Sequence, residues 1–250
     1  MARTVIPISK VSTVRVLDLF AGIGGFTLGL ERAGFETVAF CEIDPYAQKV
    51  LKKNWPGVPI YDDVRTITAE RLASDGIGVD VITGGFPCQD ISVSGNRAGI
   101  QDGTRSGLWS ECARLLGELR PEYAIFENVT NLLNGERGAW FKRVLWDISQ
   151  IGYDAEWHCI PASELGANHH RDRIWIVAYP NSAQCQRGSL SSRIHKENAN
   201  IIGASGWQAE PSLGRVANGI PNQSHRLKCL GNAVVPPIPE LIGRAINGHR

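Results

Sequence analysis

The sequence predicts an α/β fold: a doubly wound, mostly parallel sheet with a small irregular region inserted late in the chain. Three observations predict it. Strand-like and helix-like patterns alternate from residue 14 to residue 180, as they do where helices cover both faces of a parallel sheet. A Gly-rich turn follows the first strand directly. After Pro180 the periodicity fades, and residues 181–229 hold 16 Asn, Gln or Ser among 49 positions.

Taken in order, Val14-Arg15-Val16-Leu17-Asp18-Leu19-Phe20 alternates into a buried strand, and Ala21-Gly22-Ile23-Gly24-Gly25 forms a tight turn. Phe26 to Ala33 continues as a helix that Gly34 stops at a C-cap. Thr37 to Glu42 is a second strand. Pro45 to Asn54 reads as a helix with proline in its first turn, where the missing N–H costs nothing. Val79 to Thr83 and Tyr123 to Glu127 are further strands. Arg137 to Ile151 is an amphipathic helix closed by Gly152, Asp154 to Ile160 and Ile174 to Tyr179 are strands, and Pro237 to Asn247 is a last helix. The expected organisation is one main domain over 1–180, completed by 226–250, with a small irregular region over 181–225.

Composition narrows the function classes. A chain of 250 residues with 43% hydrophobic content buries a sizeable core. No 18-residue apolar run predicts a membrane span, and residues 1–12 lack the apolar stretch of a secretory signal. The six cysteines are scattered singly, which argues against a zinc site and a disulfide framework and fits a reducing cytoplasm. His169-His170 has no accompanying carboxylate cluster, so no metal is expected. Residues 1–164 carry 16 Lys+Arg against 21 Asp+Glu, and residues 165–250 carry 10 against 4. That asymmetry predicts a basic face built late in the chain, suited to nucleic acid.

Two constellations carry chemistry. The first strand, its Gly-rich turn and the next helix form a cradle in which backbone N–H groups stand free. Its spacing is G-x-G-G, not the dinucleotide G-x-G-x-x-G. Glu42 ends the second strand, where an acidic side chain binds ribose hydroxyls, and Asp63 could accept from an adenine amino group. An adenosine ligand without a pyrophosphate fits, and S-adenosylmethionine is such a ligand. The second constellation is Gly84-Gly85-Phe86-Pro87-Cys88-Gln89, at the exit of an apolar strand, with Glu127 closing a neighbouring strand. A thiol at a strand's carboxyl end is placed as a nucleophile, and a carboxyl in a partly apolar pocket can hold a proton near neutrality. Read alone, Cys88 is also an ordinary small core residue.

These residues resemble the DNA (cytosine-5) methyltransferases, of the compact phage or prophage type. The resemblance runs in order through Asp18-Leu19-Phe20-Ala21-Gly22-Ile23-Gly24-Gly25-Phe26, Glu42-Ile43-Asp44, Gly85-Phe86-Pro87-Cys88-Gln89, Glu127-Asn128-Val129, Arg171-Asp172-Arg173 and Leu230 to Pro237. It implies a Rossmann-like, S-adenosylmethionine-dependent methyltransferase that acts on a cytosine flipped out of duplex DNA. Cys88 would attack carbon 6, Glu127 would hold N3, and Arg171 would bind the base carbonyl oxygen, with Arg173 as a further catalytic candidate. The cofactor would be held by Phe20, Ala21, Gly22, Ile23, Gly24, Gly25, Glu42, Ile43, Asp63 and Val64, with Pro87, Leu108, Asn232 and Val234. DNA would be met by Gln89, Ser92, Ser94, Arg97 and Arg105 on a mobile loop, and by Arg187 and Arg193 of the irregular region, which would be the target-recognition region. Where the family has Gln two residues before the first Arg of Arg-x-Arg, this chain has His169. A cognate restriction endonuclease is a candidate partner, and a bacterial cytoplasm, from a bacterial or phage gene, is the expected location.

Other readings stay open at this level. The same catalytic parts serve a transfer-RNA cytosine methyltransferase, although residues 181–229 offer a single aromatic, Trp207, for stacking splayed bases. A catalytically inert DNA-binding relative would keep the fold, but Cys88, Glu127 and Arg171 are all intact. A nicotinamide dehydrogenase is disfavoured by the glycine spacing.

Overall fold

In the computed structural model, which describes residues 13–87, 107–183, 192–194, 196–197 and 229–248, seven strands form one sheet. They are β1 (Val14–Leu19), β2 (Phe35–Cys41), β3 (Ile60–Tyr61), β4 (Val81–Gly85), β5 (Tyr123–Val129), β6 (Tyr153–Pro161) and β7 (Asp172–Pro180), in the order β3-β2-β1-β4-β5-β7-β6. Only β7 runs against its neighbours, pairing antiparallel with both β5 and β6. The mostly parallel sheet expected from the sequence is therefore present, with its reversal confined to one end.

The helices follow from local chemistry. α1 (Gly25–Arg32) leaves the Gly-rich turn through Gly24, whose φ is 87°. α2 (Pro45–Asn54) is capped by Asp44, whose carboxylate accepts from the N–H groups of Tyr46 and Ala47 at 2.8 and 3.3 Å. α3 (Ala69–Ser74) starts at the Thr68 cap. α4 (Leu108–Leu119), α5 (Ala139–Gln150) and α6 (Pro237–Asn247) follow, the last entered through proline. The strand β3 and the helices α3 and α4 have no counterpart in the elements predicted from sequence. The helix predicted from Arg137 begins instead at Ala139, because Glu136 and Arg137 take left-handed backbone angles.

Alternation sorts the strand side chains onto two faces. Leu17, Leu19, Ile82, Ala124, Phe126, Ile174 and Ile176 pack with Trp109, Leu115, Leu116, Val144 and Ile148 of α4 and α5. Val16, Val81, Ile125, Trp175 and Val177 pack with Phe26 and Leu30 of α1 and Leu241 and Ile242 of α6. Helices thus cover both faces. Within the predicted recognition region, Ile194 is buried in this second cluster, next to α6 residues.

Among the described residues, one carboxylate is buried inside this second layer, with three buried threonines around it. Asp18 on β1 is fully inaccessible and accepts from Thr83 Oγ1 at 2.7 Å and Thr27 Oγ1 at 2.9 Å. Thr37 Oγ1 in turn donates to Thr27 Oγ1 at 3.0 Å. The network ties β1, β2, β4 and α1 together just below the Gly-rich turn. Burial pushes the Asp18 carboxyl up to about 6, against the two threonine hydrogen bonds that hold it down.

Candidate active site

Parallel strands end together, so the turns after β1, β2 and β4 and the end of β5 line one edge of the sheet. The turn after β1 is tightly shaped: Phe20, Gly22 and Gly24 all have positive φ. Its glycines do different jobs. A Cβ on Gly22 would meet nothing within 4 Å, so this position faces open space. A Cβ on Gly24 would lie 2.4 Å from the Trp55 ring, and one on Gly25 would lie 2.4 Å from the Val234 carbonyl oxygen. Gly24 and Gly25 thus serve close packing within the chain, and Gly22 is the position open to a ligand.

Glu42 closes the cradle from β2. Its Oε2 accepts from Gly22 N at 2.7 Å and its Oε1 from Asp44 N at 2.7 Å. Each carboxylate oxygen keeps acceptor capacity beyond one bond, so the side chain shapes the turn and can still receive a hydroxyl. Ile43 beside it is 71% exposed, an apolar surface next to a polar clamp. Together they fit an adenosine-bearing group. Asp63 is less available: the Arg65 guanidinium holds both of its carboxylate oxygens, at 2.6 to 3.1 Å, and keeps the carboxyl below its usual range. Val64 is buried, with its carbonyl accepting from Arg114.

The second constellation lies where β4 meets β5. Gly85 is in register with Glu127, and a Cβ on Gly85 would sit 3.3 Å from Glu127 Oε2. Glu127 has a side chain only 13% exposed, and Arg173 Nε lies 2.9 Å from its Oε1. Val129 pairs with Arg173 across β5 and β7, which puts Arg173 on the Glu127 face, one diagonal step away. Burial raises the Glu127 carboxyl above its ordinary range, with Arg173 and then Arg171 opposing the shift. The desolvation cost outweighs the ion pair, so Glu127 holds a proton more readily than a surface glutamate does.

Arg171 is placed differently from its neighbour. Its Nη1 donates to the Gly231 carbonyl at 2.8 Å and its Nη2 to the Ala233 carbonyl at 2.7 Å. The sequence reading put Arg171 on the base; in the structure Arg173, not Arg171, pairs with Glu127. His169 is exposed. Arg193, a DNA-contact candidate, donates through Nη1 to the Ala245 carbonyl near the end of α6, at 2.9 Å.

Asn128 received no role of its own from sequence. It is 2% exposed, its Nδ2 donates to the Phe86 carbonyl at 3.0 Å, and its Oδ1 accepts from Val129 N. It holds the backbone two residues before Cys88, a job visible only once β4 and β5 lie side by side. Phe86 itself is packed on Trp109, with ring centroids 5.1 Å apart. Pro87 and Leu108 are half-buried on either side of the segment between them, while Asn232 is exposed and Val234 half-buried. Cys88, Gln89, Ser92, Ser94, Arg97, Arg105 and Arg187 lie outside the described residues. Among the described residues no cluster of metal-ligating side chains occurs and no helix is long and apolar enough to cross a membrane.

Comparison with known proteins identifies the family and the fold. The family model for C-5 cytosine-specific DNA methylase matches residues 14–216. The Type II methyltransferase M2.BsuMI of Bacillus subtilis (strain 168) is 38% identical over 169 residues, 66% of this chain and 42% of that protein. The Type II methyltransferase M.HhaI of Haemophilus parahaemolyticus is 31% identical over 177 residues, 71% of this chain and 52% of that one. A structure described as a DNA modification methyltransferase encoded within an E. coli prophage superposes with a TM-score of 0.59 at 29% identity, covering 69% of this chain and 48% of that one. The S. pombe Dnmt2 methyltransferase superposes with a TM-score of 0.53 at 25% identity, over 67% and 51% of the two chains. The chain spans about half the length of these relatives.

Proposed function

Since the chain belongs to the C-5 cytosine-specific DNA methylase family, we propose that it transfers a methyl group from S-adenosylmethionine to carbon 5 of cytosine in duplex DNA. The observation that carries this reading is the pairing of Gly85 with Glu127, three residues before Cys88, with Arg173 at 2.9 Å from the glutamate. A buried carboxyl and a cation meet beside Gly85, at a sheet edge that also carries a cradle suited to adenosine, and Cys88 follows Gly85 by three residues in the sequence.

The roles follow from the chemistry of each group. Carbon 5 of cytosine is a poor nucleophile until carbon 6 carries a new bond. The Cys88 thiolate forms that bond, on a base swung out of the stack. Glu127, which burial biases toward the protonated form, donates to N3 and stabilises the charge that spreads over the ring. Arg173 answers the charge that builds on the base carbonyl oxygen, the role that sequence reasoning had given to Arg171. The cofactor supplies an electrophilic methyl, and Gly22, Glu42 and Ile43 would hold it. Loss of the carbon 5 proton to water then lets its electron pair re-form the carbon 5–carbon 6 double bond as the Cys88–carbon 6 bond breaks, which returns the free thiolate.

The substrate follows from the chemistry of residues 181–225, a basic, amide-rich segment suited to reading base edges in a groove. The test is methyl transfer from a labelled donor to duplex DNA and to transfer RNA, side by side. Label on cytosine carbon 5 of DNA alone supports the proposal. Label on RNA alone would replace it with the RNA reading, and label on neither would leave a binding relative.

A further inference from the structure

We infer that Arg171 is a positioning residue for the methyl donor: it latches the strap of residues 230–236 onto the carboxyl edge of the sheet. The inference rests on the reading that this edge holds the donor. It departs from that reading in giving the first arginine of Arg-x-Arg a task away from the base.

Two independent attachments define the strap. On one side the flat guanidinium of Arg171 spans two carbonyls two residues apart, those of Gly231 and Ala233, with a different nitrogen on each. A fork of fixed geometry can bridge such a pair, whereas a lysine ammonium is a single point on a flexible stem. On the other side, α1 presents Gly25 and Gly29, one turn apart. A Cβ at Gly25 would lie 2.4 Å from the Val234 carbonyl oxygen, and one at Gly29 would lie 2.2 Å from that of Pro236. The strap therefore lies against the backbone of the helix that leaves the Gly-rich turn. Beyond it, Ile238, Leu241 and Ile242 anchor α6 in the core.

This arrangement puts Asn232 between the two carbonyls that Arg171 holds, and Val234 against α1, the helix that starts at the cradle. Arg171 ties the carbonyls of Gly231 and Ala233 to the sheet edge, while Ala233 N donates to the Leu230 carbonyl within the strap. Arg171 takes a left-handed backbone angle, φ 41°, to make these contacts, which L-residues with a Cβ adopt at a cost. Its Nε is buried without a partner among the described residues, so a base-side readout belongs in the test.

The variants are Arg171→Ala, Arg171→Lys and, as contrast, Arg173→Ala, each checked for folding by near-UV circular dichroism. Amide hydrogen exchange over the peptide 229–235 and calorimetric affinity for S-adenosylhomocysteine are read on the full chain. Losing two charge-assisted hydrogen bonds is expected to weaken that affinity about tenfold or more in Arg171→Ala and to speed exchange of the strap. Arg171→Lys should recover little of either, and Arg173→Ala should leave both within about threefold. Arg171→Lys, which conserves charge and bulk, keeps the test decisive if the alanine variant does not fold. Unchanged strap exchange, or unchanged donor affinity with a lost kcat, would overturn the inference and return Arg171 to the base. Failure of the functional reading looks different: the wild-type chain itself would bind no S-adenosylhomocysteine, which would overturn the donor role while the exchange data still judged the latch.

Discussion

Replacing Asp18 with Asn should change how stability depends on pH, by an amount that the structure sets. Asp18 is fully inaccessible, and its carboxyl titrates at about 6 against about 3.9 in an unfolded chain. The folded value is the higher one. Between about pH 4 and pH 6 the native state therefore holds more protons than the unfolded state, and stability falls as pH rises through that window. Above about pH 6 the loss is complete and levels off. The gap between the folded and unfolded titration points corresponds to roughly 3 kcal/mol, of which about 2–3 kcal/mol is lost between pH 4 and pH 7.5. Asn does not titrate, and it can keep a hydrogen bond with Thr27 or Thr83 because a hydroxyl both donates and accepts. Urea unfolding of both proteins across this range isolates the group, since other titrations cancel in the difference. The variant should gain about 2–3 kcal/mol on the wild type between the two ends of the range. A difference that stays flat with pH would refute the argument that burial, not the threonine bonds, governs this carboxyl.

Three further outcomes are expected. Gly29→Ala should destabilise the fold by about 1–3 kcal/mol in urea titration, because its Cβ would meet a backbone carbonyl that cannot step aside; a net gain from helix propensity would contradict that packing. Glu42→Ala should lower thermal stability and donor affinity together, each by roughly 1–3 kcal/mol, because one carboxylate ties Gly22 to Asp44 and faces the cradle. Calorimetry with unchanged donor affinity in a folded variant would remove Glu42 from the site. Arg193→Ala should cost about 1–2 kcal/mol of stability through the lost Ala245 contact, yet leave the salt slope of DNA binding as it was. A slope reduced by about one would restore Arg193 as a phosphate contact.

What was legible in the sequence was what depends on one element at a time. The apolar runs of β1, β4 and β5, the Gly-rich turn and Glu42 at the end of β2 follow from local periodicity, and they place both constellations at one sheet edge. The helix α4 is missing from the sequence prediction although Trp109, Cys112, Leu115 and Leu116 stand at helical spacing and are all buried, because no capping side chain marks its start. Features that need several elements together were not legible. The Asp18 network joins residues from three strands and a helix. The division of labour between Arg171 and Arg173 depends on a left-handed turn at Arg171 and on an antiparallel strand inserted between β5 and β6. Asp63 and Arg193 are read from residue type and place in the chain. Charge does not say whether a side chain faces solvent, an internal partner such as Arg65, or a helix end.

The central claim is that Cys88 forms a covalent bond to the target base. DNA carrying 5-fluorocytosine tests it directly, because fluorine cannot leave carbon 5 as a proton does, and the Cys88 bond then cannot be broken by elimination. With S-adenosylmethionine present, the wild-type chain should form an adduct that survives denaturation and maps by mass spectrometry to Cys88. Cys88→Ser should form none while still binding DNA, since a hydroxyl is a far weaker nucleophile at neutral pH. A wild-type chain that methylates ordinary DNA but never traps, or an adduct that persists in Cys88→Ser, would contradict the account.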